Sequence, residues 1–246
     1  MKVLAIYNIK GGVGKTSTAV NLAFLAACGG ARSLIWDLDP QGAASYCFRV
    51  KPRVRGGGGK LLRGKSDIGD LIKGTDYERL DLLPADFSYR HFDLVLNDVK
   101  RPRARLGKAL KCLADDYDYV FLDCPPGISL LSEAVFHAAH ALVVPTLPSV
   151  LSLRTLKKLL AFRKENKLDQ LKLLVFLTML DRRKKLHNQV AGAWPGMGPW
   201  ALISSIPYAS EMEQMAERRK PVSCFAPRSR AAEAYAALWP EIRGRI

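Results

Sequence analysis

The seven residues Lys10-Gly11-Gly12-Val13-Gly14-Lys15-Thr16 concentrate the chemistry of this chain. Three glycines allow backbone N–H groups to converge on phosphate oxygens. Lys15 can reach the β- and γ-phosphates of a nucleoside triphosphate, and the Thr16 hydroxyl can coordinate Mg²⁺. Ser17, the next hydroxyl, is counted with the nucleotide residues. A glycine turn that merely joins a strand to a helix would not require Lys-Thr after the last glycine. The loop departs from the pattern GxxxxGK[ST] in one respect. Ile9 stands where the first glycine would fall, and a second lysine, Lys10, follows it.

Carboxylates follow two apolar runs. Asp37 and Asp39 close Leu34-Ile35-Trp36, and Asp123 closes Val120-Phe121-Leu122. At strand ends beside a phosphate loop, such groups can bind Mg²⁺ through water or orient an attacking water. A single aspartate there could be a turn residue. Two sites in register with the loop point to phosphoryl chemistry.

Strands and helices must alternate to place these groups. Val3 to Tyr7 is a strand. Ser17 to Ala27 is a helix that stops at Gly29-Gly30, and Ser33 to Trp36 is a second strand. Residues 49 to 65 carry Arg49, Lys51, Arg53, Arg55, Lys60, Arg63 and Lys65 around Gly56 to Gly59 with no acid, and read as a mobile basic loop. Further helices are expected at 68–72, 94–113, 130–139, 152–166, 186–193 and 231–242. Further strands are expected at 80–83, 119–122, 141–145, 171–178 and 202–206. This alternation predicts an α/β fold, a doubly wound, mostly parallel sheet with helices on both faces, in one domain spanning 1–246.

The 246 residues include 38 Lys and Arg against 23 acids, a net charge of +15. That surplus points to a polyanionic partner, nucleic acid or an anionic membrane surface. The five cysteines lack CxxC spacing, which argues against zinc and dithiol chemistry. No signal peptide is read at the N-terminus, and no stretch approaches about 20 apolar residues. A cytoplasmic protein is expected.

With these residues in view, the chain resembles the ParA/MinD family of deviant P-loop ATPases. The Lys10 form of the loop is one match. Asp37-Leu-Asp39-Pro40-Gln41-Gly42-Ala43-Ala44 resembles D-L-D-P-Q-G-N-A, with Ala43 for Asn. Tyr117 to Pro126 resembles the second-carboxylate strand, and Thr178-Met179 with Asp181 and Arg183 resembles T-M-x-D-x-R. Ile206-Pro207, Lys220-Pro221-Val222 and Pro227 to Tyr235 match the C-terminal third, with Ala231 for Gly. The resemblance implies an ATP- and Mg²⁺-dependent homodimer that hydrolyses ATP slowly unless a partner stimulates it. Lys10 would reach the partner's nucleotide, Asp39 would position water and Asp123 would bind Mg²⁺ through water. Pro207 would lie against adenine, with Met179 also at the nucleotide. The chain begins at its first strand, so the small form without a helix-turn-helix extension is expected. Two other readings stay open. One is a membrane-surface positioning ATPase like MinD, which relies on a C-terminal membrane helix where the final helix here reads as core. The other is a metabolic ligase like the cobyrinate and dethiobiotin enzymes, for which no carboxylate-substrate pocket is marked.

ParA-type proteins bind double-stranded DNA without sequence preference and respond to a ParB-like adaptor. The resemblance therefore implies a nucleoid-associated ATPase that positions DNA or a protein cargo. Candidate DNA contacts are Arg154, Lys157 and Lys158, then Arg182, Arg183, Lys184 and Lys185, then Arg218, Arg219 and Lys220, then Arg228 and Arg230, with the basic loop from Arg49 to Lys65 as an added candidate. One departure bears on them. Relatives read I-P-R-N-V-R-L-S-E-A-P where this chain reads Ile206-Pro-Tyr208-Ala-Ser-Glu211-Met-Glu213-Gln-Met-Ala216, so two arginines are lost and acids enter.

Overall fold

The computed structural model describes residues 1–246. Its elements in chain order are β1 (Lys2–Ile6), α1 (Lys15–Cys28), β2 (Ser33–Asp37), α2 (Ala43–Cys47), α3 (Gly58–Leu62), β3 (Lys73–Gly74), β4 (Leu80–Leu83), α4 (Phe92–Asn97), α5 (Arg105–Lys111), β5 (Tyr119–Asp123), α6 (Leu130–Ala138), β6 (Ala141–Thr146), α7 (Val150–Glu165), β7 (Lys172–Leu177), α8 (Lys185–Ala193), α9 (Ser210–Arg218), α10 (Val222–Phe225) and α11 (Arg230–Arg243).

The strands form one seven-stranded sheet in the order β3-β4-β2-β5-β1-β6-β7. Only the short β3 is antiparallel. Parallel strands covered on both faces should be apolar throughout. Strands β1, β2 and β5 meet that demand. Alternate residues enter two cores, with Val3, Ala5, Trp36 and Leu122 on one side and Leu4, Ile6, Ile35 and Phe121 on the other. The first core is closed by α3 to α7, and the second by α1 and α9 to α11. In α11, Ala231, Ala232, Tyr235, Leu238, Trp239 and Ile242 are all buried, so its apolar face is committed to packing. No helix is long and apolar enough to cross a membrane.

Three expectations need correction. Residues 49–65 are not one irregular loop, because Gly58–Leu62 is a helical turn whose Leu61 and Leu62 are buried. Two apolar side chains among the cations were enough to anchor it. The predicted 94–113 helix is interrupted between Asn97 and Arg105, with Arg101 in a left-handed conformation ahead of Pro102. Proline disfavours the right-handed α conformation at the residue before it, so one helix does not run through Arg101-Pro102. Residues 202–206 form no strand. Only isolated bridges, Val175 to Ala201 and Leu180 to Pro207, remain there. Helices α2, α9 and α10 were not anticipated.

Candidate nucleotide site

The loop between β1 and α1 rises at the C-terminal edge of the sheet, where β1 lies between β5 and β6. Gly12 and Gly14 have φ of 69° and 80°, the left-handed region that side chains rarely adopt. Neither Gly11 nor Gly12 has an atom within 4 Å of where a Cβ would stand. Space remains over the loop for a ligand. The buried Asn8 anchors it, donating from Nδ2 to the Pro145 carbonyl at 2.8 Å and accepting the Lys10 N–H at 2.9 Å. Lys15 is buried, and its ammonium donates to the Lys10 carbonyl at 3.3 Å. Burial lowers its pKa, and the nearby Asp123 opposes that shift. The Lys10 ammonium makes no hydrogen bond or ion pair; only its backbone is held.

The first turn of α1 is braced from the far end of the chain. Thr18 Oγ1 donates to the Gly14 carbonyl at 2.7 Å and lies 3.3 Å from the Tyr235 hydroxyl of α11. Asn21 donates to the Ser17 carbonyl and accepts the Val222 N–H at 2.9 Å. The Lys220-Pro221-Val222 segment therefore supports the loop by holding α1.

Pairing of β2 with β5 sets Asp37 directly opposite Asp123. Both are fully buried. Asp37 Oδ2 accepts the N–H and the hydroxyl of Ser45, each at 2.7 Å, while Oδ1 has no partner. Burial raises its pKa to about 6. Neither oxygen of Asp123 has a hydrogen-bond partner. Burial and then the neighbouring Asp37 push Asp123 well above the usual carboxylate range, against the pull of Thr16 and Lys15. Desolvated, unpaired carboxylates are costly unless a cation accompanies them. These hard oxygens, with the Thr16 hydroxyl beside Asp123, suit a Mg²⁺ ion. Asp39 is half-buried at the mouth, where Oδ1 accepts the Gln41 N–H at 2.9 Å.

Beside the loop opens a cleft of ≈ 170 Å³ lined by Gly14, Ser17, Met179, Pro207, Tyr208 and Met212 among others. Both residues expected at the nucleotide from the C-terminal half, Met179 and Pro207, meet Gly14 and Ser17 here. Two contributors were missed. Ser45 holds Asp37, and its only sequence signal was a hydroxyl in the first turn after Gly42. Glu213 accepts from the Tyr208 hydroxyl at 3.2 Å and lines the same cleft, so part of the altered 206–216 segment faces the nucleotide side.

The candidate DNA residues fall into separate places. Arg182, Arg183 and Arg230 line one cleft with Pro207 and Tyr208. Arg183 is held by Asp181, whose pKa falls to about 2 through that contact. Lys184, Lys185 and Arg228 are exposed. Arg154, Lys157 and Lys158 are exposed on α7. Arg218 lies 5.2 Å from the Phe225 ring centroid. Arg219 donates to the Tyr46 carbonyl and stacks on its ring, which ties it to α2; Lys220 is half-buried.

An AAA domain family model matches residues 1–173. Soj of Bacillus subtilis, a sporulation initiation inhibitor protein, is 34% identical over 98% of this chain and 98% of its own. The chromosome partitioning protein ParA of Caulobacter vibrioides is 33% identical over 100% of this chain and 95% of its own. Among solved structures, cobyrinic acid a,c-diamide synthase of Mycobacterium smegmatis, with bound ADP and magnesium, superposes with a TM-score of 0.83 at 26% identity, covering 99% of this chain and 94% of that one. The match of loop, carboxylate strands and overall length leads to one assignment: the chain belongs to the ParA/Soj family of P-loop ATPases.

Proposed function

We propose that this chain is an ATP-driven dimerisation switch that binds duplex DNA without sequence preference and so positions a DNA or protein cargo over the nucleoid. The observation that carries the ATPase part is the pair Asp37 and Asp123. Three of their four buried oxygens, Asp37 Oδ1 and both of Asp123, lack partners beside the hydroxyl of the phosphate loop. Mg²⁺ held through Thr16 and Asp123 would supply the positive charge that this corner lacks, together with charge neutralisation on the phosphates. Lys15 and the loop N–H groups orient the phosphates. Asp39, half-buried at the mouth, holds the attacking water. Met179 and Pro207 enclose the base.

The free Lys10 ammonium supports the dimer. It is the one cation of the loop with no partner inside its own chain. In a two-fold sandwich it would reach the partner's γ-phosphate, where transition-state charge develops. A ParB-like adaptor would stimulate turnover and so release DNA.

The direct test is molecular mass and DNA anisotropy measured with ATP, ADP and no nucleotide. The proposal expects a dimer and DNA binding with ATP alone. A monomer under all three conditions, or binding indifferent to nucleotide, overturns it. ATP turnover with no second substrate present separates this reading from a ligase.

A further inference from the structure

Among the stretches of the sequence that carry cations and no acid are Arg49 to Lys65 and Lys100 to Lys111. The fold sets them side by side. Helix α3, from the first, packs against α5, from the second. A cleft of ≈ 520 Å³ opens between them, lined by Arg63, Lys65, Arg105 and Lys108 with Asp67 as the one acid.

Little of that charge is neutralised internally. Asp67 Oδ1 is occupied by the Gly69 N–H at 2.9 Å. Arg63 reaches Asp98 only at 3.9 Å, between exposed side chains. Arg105 Nε is shut off from solvent with no partner. Lys65 and Lys108 are exposed and enter no ion pair. Like charges gathered this closely repel one another unless an anion joins them.

We propose that the α3–α5 cleft binds the phosphate backbone of duplex DNA, as a contact surface separate from the arginines near residues 182 and 230. This rests on the DNA-binding reading above. A polymer fits better than a single phosphate, because Arg53, Arg55 and Lys60 continue the cation band on one segment and Lys100, Arg101 and Lys111 on the other. Duplex DNA presents a charge about every 1.7 Å along its axis. A lipid surface fits less well. The large apolar residues of the cleft, Leu61, Leu62 and Ile68, are buried and leave no bulky side chain to insert. Two cations lost from the 206–216 segment are thus replaced on another face.

The test is anisotropy of a random-sequence duplex with the full chain and ATP, across a KCl series. Lys65→Gln with Lys108→Gln, both exposed, should lower the salt slope by about 2, from a loss of about 0.9 per phosphate contact. Adding Arg63→Gln and Arg105→Gln should lower it further, and basal ATP turnover should not change. Wild-type slope and affinity in both variants would overturn the cleft while leaving the DNA reading intact. No DNA binding by the wild type at any salt would overturn both. Binding of phosphatidylglycerol vesicles that the variants lose, with DNA binding unchanged, would reassign the cleft to a membrane and overturn the proposal.

Discussion

Charge is handled in opposite ways at the strand ends and at the α3–α5 cleft. Asp37 and Asp123 are buried with too few partners, so their charge is costly and a bound cation changes the balance sharply. Lys65 and Lys108 are solvated, so their charge costs little and acts over a Debye length. The first arrangement suits a stoichiometric ligand held in fixed geometry. The second suits a polymer bound loosely and in any register.

The contrast can be broken most severely at Asp123. Asp123→Asn should lower ATP turnover by about 100-fold or more, the scale of losing one preorganised electrostatic group. The same substitution should stabilise the ligand-free chain by about 1–3 kcal/mol, because it removes a carboxyl whose ionised form is desolvated without a partner. A melting curve without nucleotide reads the second effect, and a lowered Tm would contradict this view of the corner.

Salt separates the two regions next. Raising KCl from about 50 to about 200 mM should weaken DNA binding at least tenfold, while unstimulated turnover changes less than about twofold. Parallel losses would mean that the regions are not independent.

Acidity acts mainly on the strand ends. With its pKa raised to about 6 from 3.8, the folded Asp37 holds a proton that the unfolded chain releases. That contribution to stability is full below the unfolded value and is lost as pH rises through about 6. Ligand-free chemical denaturation between pH 4 and 7 should show the decline, and magnesium with a non-hydrolysable ATP analogue should reduce it. The smallest effect lies in the brace behind the loop. Tyr235→Phe removes the hydroxyl 3.3 Å from Thr18 and should cost about 1 kcal/mol.

The residues legible in the sequence were those whose type is forced by local chemistry. Gly12 and Gly14 need φ above zero, Lys15 and Thr16 need fixed positions after them, and Asp37 and Asp123 end apolar strands. The parallel sheet was legible for the same reason, since strands buried on both faces are apolar without alternation. Long-range partners were not. Nothing near Ser45 announces that it holds Asp37, and nothing near Asn8 announces the Pro145 carbonyl. The α3 turn was hidden because its cations outnumber Leu61 and Leu62, which nevertheless decide its packing. Residues 202–206 were apolar enough for a strand, yet they pass β7 with a single bridge on each side.

The claim at the centre is that each site is completed by the partner's Lys10, and mixing two inactive variants tests it most directly. Lys10→Ala and Asp39→Ala should each retain nucleotide and lose turnover. In a mixed dimer, the Lys10→Ala protomer keeps its own Asp39 and receives Lys10 from the other chain. Random pairing in a two-fold dimer should then restore about a quarter of wild-type turnover. Turnover that stays at the level of the separate variants, with mixed dimers present, would contradict a shared site.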